Sequence, residues 1–146
     1  MNGILDGRFI NQDKGDQMAH PNEDLVRESF AAYGRGDLDA ARKYQTDDIR
    51  YHQPGRNPTA GDYEGQEQVM QLFARLFELS GGTLSLELHD VLANEQHVVI
   101  LYTIRAERDG KQLTDNQVLT SHIRDGKVSE VWIQVTDQYA GDEFWS

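Results

Sequence analysis

Apolar positions recur first every three or four residues and later every second residue, which divides the chain into a helical part and a stranded part. In "NEDLVRESFAAY", Leu25, Val26, Ser29, Phe30 and Tyr33 share one helical face. Asn22 is placed to cap free N–H groups there, and Glu23 and Asp24 stand in the first turn, where the helix dipole favours acids. "GRGDLD" breaks that helix, and Asp37 is placed to cap a second, short one in which Leu38, Ala41 and Tyr44 recur at helical spacing. The strand "IRYHQ" and the loop "PGRNPTAG" precede a third helix in "GQEQVMQLFARLFELSGG". Its Val69, Met70, Leu72, Phe73, Leu76 and Phe77 form a broad apolar stripe that stops at Gly81-Gly82.

Beyond Gly82 the period is two. "TLSLELHDVL" alternates Leu84, Leu86 and Leu88 against polar neighbours, which predicts a strand buried on one face, and "HVVILYTIRAE" predicts a more fully buried one. Arg-Asp-Gly-Lys occurs twice, at 108–111 and 124–127. Each Asp-Gly suits a two-residue hairpin turn whose central residues take positive φ, so the last three long strands should form a meander. The predicted class is α+β: a curved antiparallel sheet wrapped over three helices from the N-terminal half. Residues 1–21, polar at their start and without a sustained period, read as an N-terminal extension expected to be flexible, with Met18 a possible natural start. Residues 22–146 read as a single domain.

Composition narrows the function classes. At 146 residues the chain suits one domain, burying roughly 70% of its unfolded surface. Cysteine is absent, which removes disulfides, thiolate catalysis and cysteine-held metals. A net charge of −11 opposes nucleic acid and acidic membrane faces, leaving a small molecule or another protein as the expected partner. No apolar run approaches the roughly 20 residues of a membrane span, so a soluble, cytoplasmic protein is expected. His-x-His, His-Glu-x-x-His, Gly-rich phosphate loops and nucleophile elbows are missing, and neither a metal nor a cofactor is expected.

The run "FAAYGRGDLDAARKYQTDDIRYHQPGRNPTAGDYEGQEQVMQLFARLFEL", the strands joined by RDGK and the final "DQYAGDEFW" resemble SnoaL-like proteins of the nuclear transport factor two-like, or ketosteroid isomerase-like, superfamily. The resemblance covers about residues 22–146. It implies a cone-shaped α+β domain with a deep, mostly apolar pocket, and a homodimer formed through the sheet face. Members include isomerases, cyclases, hydrolases and non-catalytic binders, so function rests on the pocket residues. Against the isomerase pattern, Ser29 stands at the position of the oxyanion-hole Tyr, Gln53 at the base and Thr120 near the late Asp. None keeps that chemistry, since an amide does not shuttle protons. Against the limonene-type epoxide hydrolases, Tyr51 and Gln53 match the water-orienting pair. The Arg–Asp relay falls near Ile104 and Ala106, or, with a slip of one residue, at Arg105 and Glu107.

His122 is the candidate acid/base, provided that its strand turns Val118, Thr120 and His122 inward, with Asn116 on the same parity. Tyr51 and Gln53 share a parity toward the pocket, as Tyr102 does with Ile100 and Ile104, while His52 has the opposite parity. If the Val/Ile face of the last strand lines the cone, Ile133 faces the pocket and Trp132 the outside. Two function classes follow. One is a pocket enzyme for a small hydrophobic, oxygenated metabolite, with His122 as acid/base and Tyr51, Gln53, Tyr102, Asn116, Thr120 and Ile133 as substrate-binding residues. The other is a non-catalytic ligand-binding or dimerisation module.

Overall fold

A computed structural model describes residues 20–146. The extension expected over 1–21 lies outside the described residues except for His20 and Pro21, which open the first helix. That helix, α1, runs Pro21–Gly34, with Pro in its first turn, where the missing N–H costs nothing. The cap differs from the expectation: His20 Nδ1 accepts the N–H of Asn22. The Asn22 side chain instead donates to the carbonyls of Asn94 and Glu95, tying α1 to the turn that follows residue 93. Asp37 caps the short α2, Leu38–Arg42, as expected, with its carboxylate accepting from Ala40 N. The third helix, α3, spans Gly65–Leu79 and buries Val69, Met70, Leu72, Phe73 and Leu76.

The strands are β1 (Gln45–Gln53), β2 (Gly61–Glu64), β3 (Ser85–Ala93), β4 (His97–Arg108), β5 (Lys111–Arg124) and β6 (Lys127–Val135). They form one curved six-stranded sheet in the order β2-β1-β6-β5-β4-β3. All neighbouring pairs are antiparallel except β1–β6, which is parallel, so the sheet is mixed rather than wholly antiparallel. Both Arg-Asp-Gly-Lys turns close hairpins as predicted: Asp109 and Gly110 take φ of 51° and 77°, Asp125 and Gly126 52° and 73°. A C-terminal helix, α4 (Gln138–Trp145), follows the sheet and buries Phe144 and Trp145. The helix and the short β2 were not distinguished in the sequence.

The core lies between the helices and the inner face of the sheet. Ile49, Val69, Leu72, Val98 and Ile100 are almost wholly excluded from solvent there. The outer face carries two rows fixed by the register: Leu92–Val99–Thr120–Trp132–His52, and beside it Asp90–Leu101–Val118–Gln134. Among the described residues, no helix is long and apolar enough to cross a membrane.

Candidate functional site

Strand alternation assigns the inner face residue by residue. Tyr102 pairs with Gln117, Ile100 with Leu119 and Val98 with Ser121, so the odd-numbered residues of β5 point the same way as the even-numbered residues of β4. A cavity of about 70 Å³ opens between this face and helices α1 and α3. That is several times the roughly 10–15 Å³ that one water needs, room for a small organic group. Val26, Ser29, Phe30 and Tyr33 line it from α1, Phe73 and Leu76 from α3. The sheet adds Gln45, Tyr51, Gln53, Tyr102, Gln117, Leu119, Ser121, Val128, Val131 and further aliphatic side chains.

The expectations divide on this geometry. Tyr51, Gln53 and Tyr102 line the cavity, as does Ser29. Asn116, Thr120 and His122 do not: they occupy the opposite parity of β5 and lie on the outer face, which corrects the inward assignment. A period of two means that a one-residue error reverses every side chain, and β5 is polar on both faces, so alternation alone could not choose. Ile133 is inward and buried, yet stands outside the cavity lining, where Val128 and Val131 take the β6 positions. Ile104 and Ala106 are buried inward, whereas Arg105 is exposed and pairs with Glu87 at 2.5 Å, so the slipped relay does not enter the cavity.

The polar groups of the cavity are tyrosines, serines and amides. Tyr102 Oη donates to Gln117 Oε1 at 2.7 Å, and Gln117 Nε2 donates to Asp115 Oδ2 at 3.2 Å. Asp115, buried on the inner parity of β5, was not singled out in the sequence, although it shares a parity with Leu113 and Leu119. Gln45 Nε2 donates to Tyr33 Oη, while the buried Gln45 Oε1 has no partner among the described residues. Burial pushes the hydroxyls of Tyr33, Tyr51 and Tyr102 above the usual phenol range, so all three stay protonated at neutral pH. They serve as hydrogen-bonding groups and not as bases. Among the described residues, no His, Asp, Glu, Lys or Arg side chain lines the cavity.

The imidazoles gather outside. His52 is held between two carboxylates, with Nδ1 2.6 Å from Asp62 and Nε2 2.7 Å from Glu130, and it stacks on Trp132 at 5.4 Å between ring centres. His122 meets Trp132 edge-on at 4.9 Å and His97 at 4.6 Å. No group of three His, Cys, Asp or Glu side chains among the described residues is placed to hold a metal ion.

The Asp62 hydrogen bond raises the His52 pKa; burial opposes that shift, and Glu130 reinforces it. A raised folded value means that the imidazolium stabilises the fold fully below its unfolded pKa of about 6.5 and progressively less as pH rises through the folded value. His52→Gln is therefore expected to lower Tm more at pH 6 than at pH 8.5. A gap independent of pH in thermal melts would contradict the charged bridge.

The loop that begins after Gln53 is fastened from the C-terminus. Asp142 Oδ1 accepts from Arg56 N and Asn57 Nδ2, both at 2.8 Å, and from Gln138 Nε2 at 3.1 Å. Asn57 Oδ1 in turn accepts from the backbone and hydroxyl of the buried Thr59. The Pro/Gly-rich stretch is thus an ordered connection between β1 and β2.

The family profile described as a SnoaL-like domain matches residues 26–131. Uncharacterised proteins of Mycobacterium bovis and Mycobacterium tuberculosis are 31% identical over 124 residues, an alignment covering 84% of this chain and 95% of theirs. Among solved structures, Bal32a from a soil-derived mobile gene cassette superposes with a TM-score of 0.84 at 31% identity, covering 86% of this chain and 97% of that one. A nuclear transport factor two-like protein from Burkholderia xenovorans gives 0.72 at 23% identity, over 86% and 96% of the two chains, a likeness of fold alone.

Proposed function

Since the chain belongs to the SnoaL-like domain family and has the nuclear transport factor two-like fold, we propose that its cavity binds a small apolar molecule carrying an oxygen function, without acid–base turnover. One observation carries this reading: a cavity walled by aliphatic and aromatic side chains offers tyrosine, serine and amide groups to a ligand and, among the described residues, no carboxylate or imidazole. An apolar body gains from burial against Ile100, Leu119, Phe30 and Val131, while the hydroxyls and amides orient a single polar atom. Proton abstraction at carbon needs a group that titrates near the working pH, and none among the described residues lines the cavity. His122, the acid/base candidate of the enzyme reading, lies on the other side of the sheet.

Small alcohols, ketones, lactones and epoxides, screened by thermal shift and native mass spectrometry, test this. At least one should raise Tm, since a ligand present at 100 times its Kd adds about 2.7 kcal/mol to folding stability. The shift should disappear in Ser29→Phe, whose ring fills the cavity from α1. A panel without a single stabilising member, or a shift that survives Ser29→Phe, would defeat the binding assignment.

A further inference from the structure

We infer that Asp115 sets the hydrogen-bonding polarity of the cavity, so that Tyr102 presents a lone pair, and the site selects ligands that donate a hydrogen bond, alcohols and phenols, over the corresponding ketones. This deepens the reading above and rests on it. One chain of contacts leads there. A carboxylate oxygen that faces N–H donors can only accept from them. Asp115 Oδ2 receives Gln117 Nε2 at 3.2 Å and the Thr136 backbone N–H at 3.4 Å, both donors. The Gln117 amide is therefore held with its NH₂ toward Asp115 and its carbonyl oxygen toward Tyr102. That oxygen takes the Tyr102 proton at 2.7 Å.

A phenol has one proton, and the one on Tyr102 is committed. What remains for a ligand is the acceptor face of its oxygen, in a cavity that both Tyr102 and Gln117 line. Gln45 adds a second acceptor, since its Oε1 is buried with no partner among the described residues. Tyr51, which lines the cavity and whose hydroxyl burial keeps protonated, supplies a donor. A ligand hydroxyl donates to an acceptor and still accepts from Tyr51. A ketone only accepts, and it leaves the Tyr102 lone pair desolvated and unpaired, the costlier arrangement.

Asp115 touches no ligand in this scheme and is a positioning residue that acts through Gln117. Asp115→Asn keeps the shape of the side chain but adds a donor. Turned so that it gives up the long Thr136 N–H contact, the new amide faces the Gln117 oxygen, which frees Gln117 to turn its NH₂ toward Tyr102 and Tyr102 to donate into the cavity.

The experiment compares cyclohexanol with cyclohexanone by calorimetry and thermal shift on the full chain. Wild type should favour the alcohol roughly tenfold, the effect of one buried hydrogen bond, and Asp115→Asn should bring that ratio toward one. Equal wild-type affinities, or a preference that Asp115→Asn leaves intact, would overturn the inference. Loss of all binding on folding failure is separated by the ligand-free protein: the Gln117 side-chain amide protons should be slow to exchange in wild type and should move on Asp115→Asn. If neither probe binds wild type, the amide signal alone decides the line of contacts: fast exchange there would overturn it.

Discussion

Ile49→Ala is expected to remove about 2–5 kcal/mol of folding stability, the range for deleting a large aliphatic side chain from a packed core. Ile49 is completely buried, on the inner side of β1 where α3 packs. It is not among the residues lining the cavity, so truncation opens a new void and does not enlarge an existing one. The void would lie two residues from Tyr51, so ligand affinity should fall together with stability. Urea denaturation should show a lower midpoint with an unchanged slope, because the surface exposed on unfolding barely changes. A midpoint near that of wild type would mean that the β1–α3 seam closes around the gap and is not tightly packed.

The second large effect is Gly55→Ala. Gly55 holds φ of +116°, where residues with a side chain rarely go, at a cost of order 1–3 kcal/mol. An added Cβ would also stand 2.5 Å from Asp142 Oδ1 and 2.5 Å from Gln138 Nε2. Side-chain tips can move, but the Asp142 oxygen is the one that holds Arg56 N and Asn57, so moving it releases the loop from α4. Gly81→Ala is the control: its φ is +59° and nothing lies within 4 Å of the added carbon. Gly55→Ala should therefore lower Tm clearly more than Gly81→Ala, and proteolysis should begin in the 54–60 loop. Equal losses for the two variants would show that strain alone operates and that the Asp142 contact contributes nothing.

Much of the site was legible where one face of an element is apolar. Alternation around Ile100 and Ile104 put Tyr102 inside, and the end of β1 put Tyr51 and Gln53 there. His52 was assigned the parity opposite to Tyr51 and Gln53 and is found between Asp62 and Glu130. Trp132 was likewise assigned to the outer face, where it stacks on His52. On β5 the same reasoning failed. Asn116, Gln117, Thr120, Ser121 and His122 make both faces polar, and a prominent imidazole drew the parity the wrong way. The apolar pair Leu113 and Leu119 held the correct signal, and Asp115 and Gln117 follow from it.

By itself the sequence determined the order of the first three helices and the five longer strands, the Asp37 cap, both Asp-Gly hairpins and the α+β class. These depend on contacts between residues near one another in the chain or on the period of burial within one element. Tertiary structure alone decided three things: the parallel pairing of β1 with β6, the outward turn of His122 and the line of contacts from Asp115 through Gln117 to Tyr102. Each depends on the register between strands, where a shift of one residue exchanges the two faces of a sheet at almost no local cost. Only packing against α1 and α3 makes one of those faces the inside.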